Sequence, residues 1–200
     1  MNTIDFLQKA CSKDAYRPNL SRIYKDKETL VSTDGHRLHY VRTEPSELKG
    51  FLDGYDGEFP EYKQVFLAEK TEVIISFGSD DYKKLKALTQ VAKTESSKIP
   101  VGTICLTDDT VIFGAKTKDM EASFAIKRDK KSEDWKPIEV TKITINLAYL
   151  LDAVSPLTQA DWGRLTIGVK PATNSLVEIT CHVPSLGLYH AVVMPMKAQD

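Results

Sequence analysis

Apolar residues along the chain recur with a helical period in three segments. The clearest is the third, "NLAYLLDAVSP", where leucines and a valine follow the i, i+3, i+4, i+7 spacing of a helix that buries one face. Asn146 before this run is a favourable N-cap, and Pro156 after it is a natural stop. In the second segment, Ser79 is a suitable N-cap. The pattern predicts helices over residues 3–13, 79–93 and 146–156.

Between these helices the chain alternates short apolar runs with turn-forming residues, which is typical of β-strands joined by tight connections. A helix followed by strands occurs three times, and in the second and third copies a strand also precedes the helix. Neighbouring strands with hairpin-length turns favour antiparallel sheets with the helices on one face, an α+β fold. The predicted strands span residues 20–24, 29–33, 72–77, 101–107, 110–117, 121–129, 142–147, 164–170, 176–183 and 189–196.

One strand-like stretch, "LVSTDGHRLHYVR" (30–42), is interrupted by four polar residues. It holds Ser32, Asp34 and His36, which one face of a strand would present together, so a nucleophile with its base is one interpretation. However, the sequence has no Gly-x-Ser-x-Gly elbow, no glycine-rich phosphate loop and no HExxH motif. The dipeptide Asp34-Gly35 strongly favours a turn, because the Asp side chain accepts hydrogen bonds from nearby backbone N–H groups and Gly adopts positive φ. A turn that positions the residues after it is the more economical interpretation.

The composition indicates a globular chain without a strong charge imbalance. Of 200 residues, 42% are hydrophobic and 28% are charged, and 27 Lys and Arg nearly balance 28 Asp and Glu. Any contact with nucleic acid must therefore depend on where the charges lie. Cys11, Cys105 and Cys181 lack CxxC spacing and have no metal-ligand spacing with the histidines, so we expect no metal and no other cofactor. Since no apolar run approaches about 20 residues and no signal-peptide pattern is seen, we expect a cytoplasmic protein without membrane association.

Three motifs occur in a defined order: "STDGHRL" (32–38), "GEFPEYKQV" (57–65) and "YHAVVMPMK" (189–197). Together they resemble the bacterial DNA polymerase III beta subunit family, the DNA sliding clamps. Weaker similarities to the same family lie at "YRPNLSRI" (16–23) and "ITINLAYLLDAV" (143–154). The resemblance implies a DNA-clamp-like fold, built from repeats of a helix packed on an antiparallel β-sheet.

The resemblance also implies a processivity factor and not an enzyme. Clamps of this family form a closed ring around duplex DNA, without sequence specificity, and a clamp loader is an implied partner. They bind DNA polymerases and other replication or repair proteins through a short peptide, which docks in a hydrophobic cleft between the second and third domains. The implied cleft residues are Leu20, Thr33, Gly35, His36, Arg37, Leu38, Pro60, Gln64, Val65, Val192, Val193, Met194, Pro195, Met196 and Lys197.

This chain departs from the family in length. Only about 20 residues separate the first motif from "FPEY", where the family inserts another half-domain. The resemblance therefore implies half of the second domain at residues 1–46, a packed connector at 47–70 and a complete third domain at 71–200. Gln64 stands where the family favours a basic residue, and Lys197 stands where arginine is common. Both differences would alter the rim of the cleft without abolishing it.

A half-domain leaves a sheet edge unpaired and a helix face uncovered, and both need a partner. Two N-terminal halves from different chains would complete one domain, giving an isologous homo-oligomer from which rings could be built. Alternatively, the connector covers the exposed face of a monomer with its aromatic residues. These are Phe51, Tyr55, Phe59, Tyr62 and Phe66. The homo-oligomer is the interpretation that we favour.

Contact with DNA would come from lysines on the helices that line the ring, through the phosphate groups. The third helix carries Asp152 and no basic residue, so the lining would be uneven. A solvated helix face is the other interpretation of these lysines, and a clamp-derived adaptor that binds peptides without encircling DNA is the alternative function. The candidate DNA-facing residues are Lys9, Lys13, Lys83, Lys84, Lys86 and Lys93.

Overall fold

The computed structural model describes residues 2–66, 70–93, 99–130, 137–159, 163–169, 176–184 and 187–196. Within these ranges the helices are α1 (Thr3–Gln8), α2 (Ser79–Val91) and α3 (Leu147–Ala153), with short 3-10 helices at Lys63–Val65 and Ser155–Gln159. The strands are β1 (Tyr24–Asp26), β2 (Thr29–Thr33), β3 (Arg37–Arg42), β4 (Lys49–Phe51), β5 (Thr71–Phe77), β6 (Val101–Leu106), β7 (Thr110–Lys116), β8 (Glu121–Lys127), β9 (Thr141–Asn146), β10 (Gly163–Val169), β11 (Val177–Val183) and β12 (Gly187–Val193).

The strands form two sheets in which neighbouring strands are antiparallel. One sheet has the order β4-β1-β2-β3-β12-β11-β10-β5, and the other has the order β8-β7-β6-β9. α2 packs against α3, and the side chain of Lys9, just after α1, reaches Asp152 of α3. The predicted α+β fold of helices on antiparallel sheets is confirmed.

The predicted repeat is visible in how the strands pair. The second unit consists of β5, α2 and β6–β8, and the third unit consists of β9, α3 and β10–β12. Each begins with a strand that joins the sheet of the other unit: β5 pairs with β10, and β9 pairs with β6. The first unit has α1 and β1–β3 without a leading strand. Its last strand, β3, pairs with β12, the last strand of the third unit, and this ladder joins the N-terminal unit to the rest.

The first helix is shorter than predicted. α1 ends at Gln8 and not at residue 13, because the chain turns back on itself: the Ser12 N–H donates to Leu20 O at 2.8 Å. The predicted strand over residues 20–24 begins only at Tyr24, since the preceding residues form turns, in which the Leu20 N–H donates to Arg17 O at 3.0 Å. These tertiary and turn hydrogen bonds override the local periodicity.

The other two helices begin close to where the pattern placed them. The N-cap of α2 is Gly78 and not Ser79, and its N–H donates to Asp81 Oδ2 at 3.2 Å. Asn146 is the N-cap of α3 as predicted, since its Oδ1 accepts from the Ala148 N–H at 3.0 Å. α3 ends at Ala153, and the last two residues of the predicted helix, Ser155 and Pro156, begin the 3-10 helix Ser155–Gln159.

The connector contributes a strand that the sequence did not predict. β4 pairs antiparallel with β1, in register Tyr24 to Phe51, and so occupies the edge that a half-domain was expected to leave open. The face of this sheet opposite α1, here called the outer face, is covered by aromatic side chains of the connector. Phe59 stacks on Tyr24 with centroids 4.9 Å apart, and Phe66 lies 4.9 Å from Tyr40. The uncovered face and open edge that motivated association through the N-terminal halves are therefore filled within the chain.

The opposite side of the same strands belongs to a core shared by all three helices and both sheets. Phe6 and Leu7 of α1 are fully buried, so the helix of the N-terminal unit is covered as well. The largest fully buried side chains elsewhere in this core are Phe77, Phe113, Ile75, Leu85, Ile104, Leu106, Ile145, Leu147, Leu150 and Leu157.

Candidate functional site

The polar interruption after β2 is a turn, as predicted. The Asp34 carboxylate accepts a hydrogen bond from the His36 N–H at 2.9 Å, and Thr33 Oγ1 accepts one from the Gly35 N–H at 3.0 Å. Gly35 has a φ of +92°, a conformation that residues with a side chain rarely adopt. The carbonyl oxygen of His36 accepts from the Met194 N–H at 2.9 Å, so the turn lies against the end of β12.

A cavity of about 170 Å³ opens on the outer face of the sheet, where β3 meets β12. Five separate parts of the chain form its walls: Leu20, the turn with β3, the connector, Leu176 and the end of β12. Its lining residues are Leu20, Thr33, Gly35, His36, Arg37, Leu38, Pro60, Glu61, Tyr62, Val65, Leu176, Val192 and Met194. Most of these side chains are apolar, so the cavity favours apolar groups over charged ones.

The cavity has a firm base and an adaptable rim. Leu38 and Val192 are only 4% and 3% exposed and pack with Val31 and Tyr62 in a small core of their own. Met194 at the rim is 46% exposed, and its flexible thioether side chain can fit apolar groups of different shape. The cavity can accept large apolar side chains of a ligand, while the backbone of that ligand stays at the protein surface.

Ten of the residues singled out in the sequence lie around this one cavity. They come from positions far apart in the chain and are Leu20, Thr33, Gly35, His36, Arg37, Leu38, Pro60, Val65, Val192 and Met194. That they bind a peptide stays a prediction.

Other predicted residues lie elsewhere. Val193 is fully buried in the core on the helix-facing side, because successive residues of a strand point to opposite faces. The Gln64 side chain is outside the cavity and donates to Glu61 O at 3.2 Å. Pro195 and Met196 follow β12 without lining the cavity, and the Met196 N–H donates to Thr144 O at 2.8 Å. Lys197 lies outside the described residues.

Glu61, Tyr62 and Leu176 line the cavity and were not predicted as part of it. The Tyr62 hydroxyl donates to Asp26 Oδ2 at 3.0 Å, which anchors the connector to β1. A hydrogen bond from Lys63 lowers the pKa of Asp26, whereas burial, reinforced by the Asp26 carboxylate, raises the pKa of Tyr62. Tyr62 therefore remains a protonated donor and holds this wall of the cavity in place.

A larger and more polar groove of about 750 Å³ adjoins the cavity on the connector side. The two share Pro60, Glu61 and Tyr62, so a ligand anchored in the apolar cavity can continue into the groove. The other lining residues of the groove are Asn19, Tyr24, Asp26, Lys49, Gly57, Glu58, Phe59 and Lys63.

Arg37 is committed to contacts within the protein. Its guanidinium donates to Asp34 Oδ2 at 3.0 Å, to Asp152 Oδ2 at 2.6 Å and to the backbone oxygen of Lys9, and it lies 4.3 Å from the centroid of the Tyr149 ring. Its side chain is 10% exposed. Arg37 therefore ties the turn to α3 and keeps the wall of the cavity rigid.

The catalytic interpretation of the same stretch finds no support in the geometry. The Ser32 hydroxyl donates to Leu7 O at 2.6 Å on the helix-facing side of the sheet. The Asp34 carboxylate is occupied by the turn and by Arg37, while His36 is exposed. Among the described residues, these three side chains are not hydrogen-bonded to one another, so they do not form a nucleophile–base pair.

The candidate DNA-facing lysines fall into two groups. Lys9 pairs with Asp152 at 3.1 Å, and Lys83 and Lys84 each pair with an aspartate three residues earlier on α2. These pairs reduce the positive charge that the helices present. The remaining candidates, Lys13, Lys86 and Lys93, are exposed. Contact with DNA stays a prediction.

Within the part of the chain that the structure describes, no group of three or more His, Cys, Asp or Glu residues is arranged to hold a metal ion. None of the described helices is long and apolar enough to cross a membrane.

No protein-family model matches the sequence, and no curated protein matches it either. Solved structures do match in fold. The beta subunit of DNA polymerase III from Borrelia burgdorferi superposes with a TM-score of 0.71 at 15% identity, over 98% of this chain and 60% of that chain. The corresponding Caulobacter crescentus protein gives a TM-score of 0.72 at 17% identity, over 98% of this chain and 63% of that chain.

A third match is the Helicobacter pylori beta clamp bound to a DNA ligase peptide, with a TM-score of 0.68 at 14% identity, over 97% of this chain and 62% of that chain. This chain thus spans about 60% of the length of the clamps that it matches. Because almost the whole chain superposes, the similarity describes its complete fold and not an isolated unit. The protein has the fold of the bacterial DNA polymerase III beta clamps.

Proposed function

We propose that this protein is a clamp-like protein that binds replication or repair proteins by a short apolar peptide motif, docked in the cavity between β3 and β12. The observation that carries the proposal is that the three motif segments, which are distant in the sequence, lie around one apolar cavity. The same segments carry the resemblance to sliding clamps. The Helicobacter pylori clamp bound to a DNA ligase peptide supports a peptide as the ligand class.

The chemistry of the cavity fits such a ligand. Burying one Leu or Phe side chain contributes about 1.5–3 kcal/mol, and ordering of the peptide offsets part of this gain. Two apolar anchors therefore supply about 3–6 kcal/mol before this offset, and the roughly 8 kcal/mol of a micromolar complex requires polar contacts as well. The exposed backbone of the turn and the adjoining polar groove would contact the peptide on either side of these anchors.

Titration of a fluorescent Gln-Leu-x-Leu-Phe peptide tests the proposal. Met194→Ala should weaken binding about tenfold, since it removes an exposed wall of the cavity. Leu188→Ala is the matched control, because Leu188 is an equally exposed apolar residue on β12 that does not line the cavity. Absence of saturable binding at about 100 µM, far above a micromolar dissociation constant, would refute the proposal.

Whether the protein encircles DNA is a separate part of the proposal. A ring is retained on closed circular DNA and slides off after linearisation, whereas an adaptor responds equally to both. The adaptor is favoured by the ion pairs of Lys9, Lys83 and Lys84, which leave less charge for phosphate contacts. Retention of labelled protein on nicked circles and on linear DNA distinguishes the two functions.

A further inference from the structure

The polar groove that adjoins the cavity is lined by charged side chains of both signs. Its carboxylates are those of Asp26, Glu58 and Glu61, and its cations are Lys49 and Lys63. Because Glu61 also lines the cavity, one end of the groove opens directly beside the apolar anchor site. Residues that flank the anchors of a bound peptide would lie at this end.

The far end of the groove, at β1 and β4, is balanced in charge by the protein itself. Lys63 Nζ lies 2.9 Å from Asp26 Oδ2, and Lys49 stands opposite Asp26 in the ladder between the two strands. Two lysines thus accompany the one carboxylate, so this end has no excess of negative charge to offer a ligand.

The end next to the cavity is acidic. Asn19 precedes the cavity residue Leu20, and its Nδ2 donates to Glu58 O at 3.1 Å, which holds Glu58 at this end. Glu61 lies at the junction of the two spaces. Both glutamates are exposed, and within the described part of the chain neither carboxylate has an ion-pair partner. Two negative charges therefore stand without a counter-ion beside the cavity.

Aromatic rings lie along the same groove, and a ring face attracts a cation in addition to a carboxylate. The aromatic lining residues are Tyr24, Phe59 and Tyr62. The chain's own cations on the connector use both kinds of contact. Lys63 pairs with Asp26 and lies 6.0 Å from the centroid of the Tyr62 ring. The hydrogen bond to Asp26 raises the pKa of Lys63, and the charge of Glu61 raises it further, so this surface favours a cation.

Arg22 repeats the arrangement beside the groove. It pairs with Asp53 at 2.7 Å and lies 4.4 Å from the centroid of the Tyr55 ring. The connector thus holds two cations between a carboxylate and an aromatic ring, whereas Glu58 and Glu61 have no cation of the protein to pair with. A ligand can supply the missing charge.

We infer that the peptide ligand carries lysine or arginine beside its apolar anchors, and that this residue lies at the acidic end of the groove against Glu58 and Glu61. The inference rests on the proposed function, since the anchors in the cavity position the peptide. It adds a preference for charge, which the apolar cavity alone does not provide. It also supplies polar contacts of the kind that a micromolar complex requires. An acidic flank would instead be repelled by the two carboxylates.

Titration of flanked peptides tests the inference. Two lysines or two glutamates are added to the fluorescent Gln-Leu-x-Leu-Phe peptide, before the motif or after it, with two serines as the uncharged reference. At one of the two ends, the lysine peptide should bind about threefold to tenfold more tightly than the glutamate peptide, the size of one or two exposed ion pairs. The difference should shrink at about 0.5 M salt, because exposed charges are screened.

Charge reversal assigns the preference to the two glutamates. Glu61→Lys should abolish it, and Glu58→Lys combined with Glu61→Lys should reverse it, so that the glutamate peptide binds more tightly. Glu139→Lys is the matched control, because Glu139 is exposed, lines neither the cavity nor the groove, and changes the net charge equally. The preference is a ratio of two dissociation constants for one variant, so any change of the cavity that affects both peptides cancels.

Equal affinities of the lysine and glutamate peptides at both ends, with saturable binding of the serine peptide, would overturn this inference and leave the cavity proposal standing. A preference that persists in the double variant would also overturn it, because the cation would then be bound elsewhere. If no peptide binds at all, the proposed function itself fails and the inference fails with it. The serine peptide therefore distinguishes the two failures.

Discussion

The two sides of the ladder between β3 and β12 contrast sharply. On the helix-facing side, His39 and Ala191 lie opposite each other, and the His39 ring stacks 4.3 Å from the fully buried Phe6. On the outer face, Leu38 and Val192 lie opposite each other and form the base of an open cavity. One side is filled by the protein itself, whereas the other has room for a ligand.

This contrast follows from the alternation of side chains along a strand. Alternate residues of the same short ladder pack against the helices on one side and build the cavity on the other. Substitutions on the helix-facing side should therefore change the free energy of unfolding, and substitutions at the outer rim should change binding.

The largest effect is expected for Phe6→Ala. It should lower the free energy of unfolding by about 3–5 kcal/mol, because it removes a fully buried aromatic ring that also contacts Tyr189 edge to face. Urea unfolding measures the change. Ile4→Ala on the same helix is the control, since Ile4 is 37% exposed, and it should cost less than about 1 kcal/mol. Equal losses for the two variants would contradict a filled helix-facing side.

The second-largest effect is expected for low pH, which should lower the free energy of unfolding through His39 on the helix-facing side. Burial lowers the pKa of His39 to about 4, so the folded state holds the neutral ring while the unfolded chain takes up a proton near pH 6.5. Its stabilising contribution is complete above pH 6.5 and declines as the pH falls towards 4, by about 3 kcal/mol.

Urea unfolding of the wild type and of His39→Gln between pH 7.5 and pH 4 separates this group from others. The pKa of His190 is also lowered to about 4 by burial, so the variant should retain part of the pH dependence. Identical pH profiles for the two proteins would show that His39 is not the titrating group.

Arg37→Met should cost about 2 kcal/mol, because it keeps the aliphatic packing but deprives Asp34 and Asp152 of their shared partner. Arg22→Met is the matched control: Arg22 pairs with the exposed Asp53 at 2.7 Å, and a surface pair contributes less than about 1 kcal/mol. Combining Arg37→Met with Asp152→Asn should cost less than the sum of the single changes. Additive losses would argue against a coupled network.

Met194→Ala should have the smallest effect on stability, about 0.5 kcal/mol or less, since the side chain is 46% exposed. The same change is expected to weaken peptide binding about tenfold. A large loss of stability with unchanged binding would reverse the roles assigned to the two sides of the ladder.

Local chemistry made several features predictable from the sequence. The turn at Asp34-Gly35 and the N-cap at Asn146 depend on residues whose side chains or backbone freedom act within a few positions. The repeated order of helix and strands was readable for the same reason, because each element carries its own periodicity. The residues of the first and second motifs that lie around the cavity were named from the resemblance and not from local chemistry, and their binding role stays a prediction.

Features that depend on distant contacts were not predictable. The run "AVVMPM" is apolar throughout, so its period does not reveal that Val192 faces the cavity and Val193 faces the core. β4 is only three residues long and exists because β1 offers it an edge. Tyr62 and Leu176 reach the cavity through the packing of the connector and of the residues before β11, for which the local sequence carries no signal.

The exchange of leading strands has a consequence for folding. Neither the second nor the third unit has a complete sheet of its own, because β5 lies in the sheet of the third unit and β9 in that of the second. These two units must therefore unfold together, in one cooperative transition. The first unit takes its edge strand, β4, from the segment that immediately follows it. The backbone amides of β1 and β4 should therefore exchange with solvent hydrogen while the second and third units remain folded.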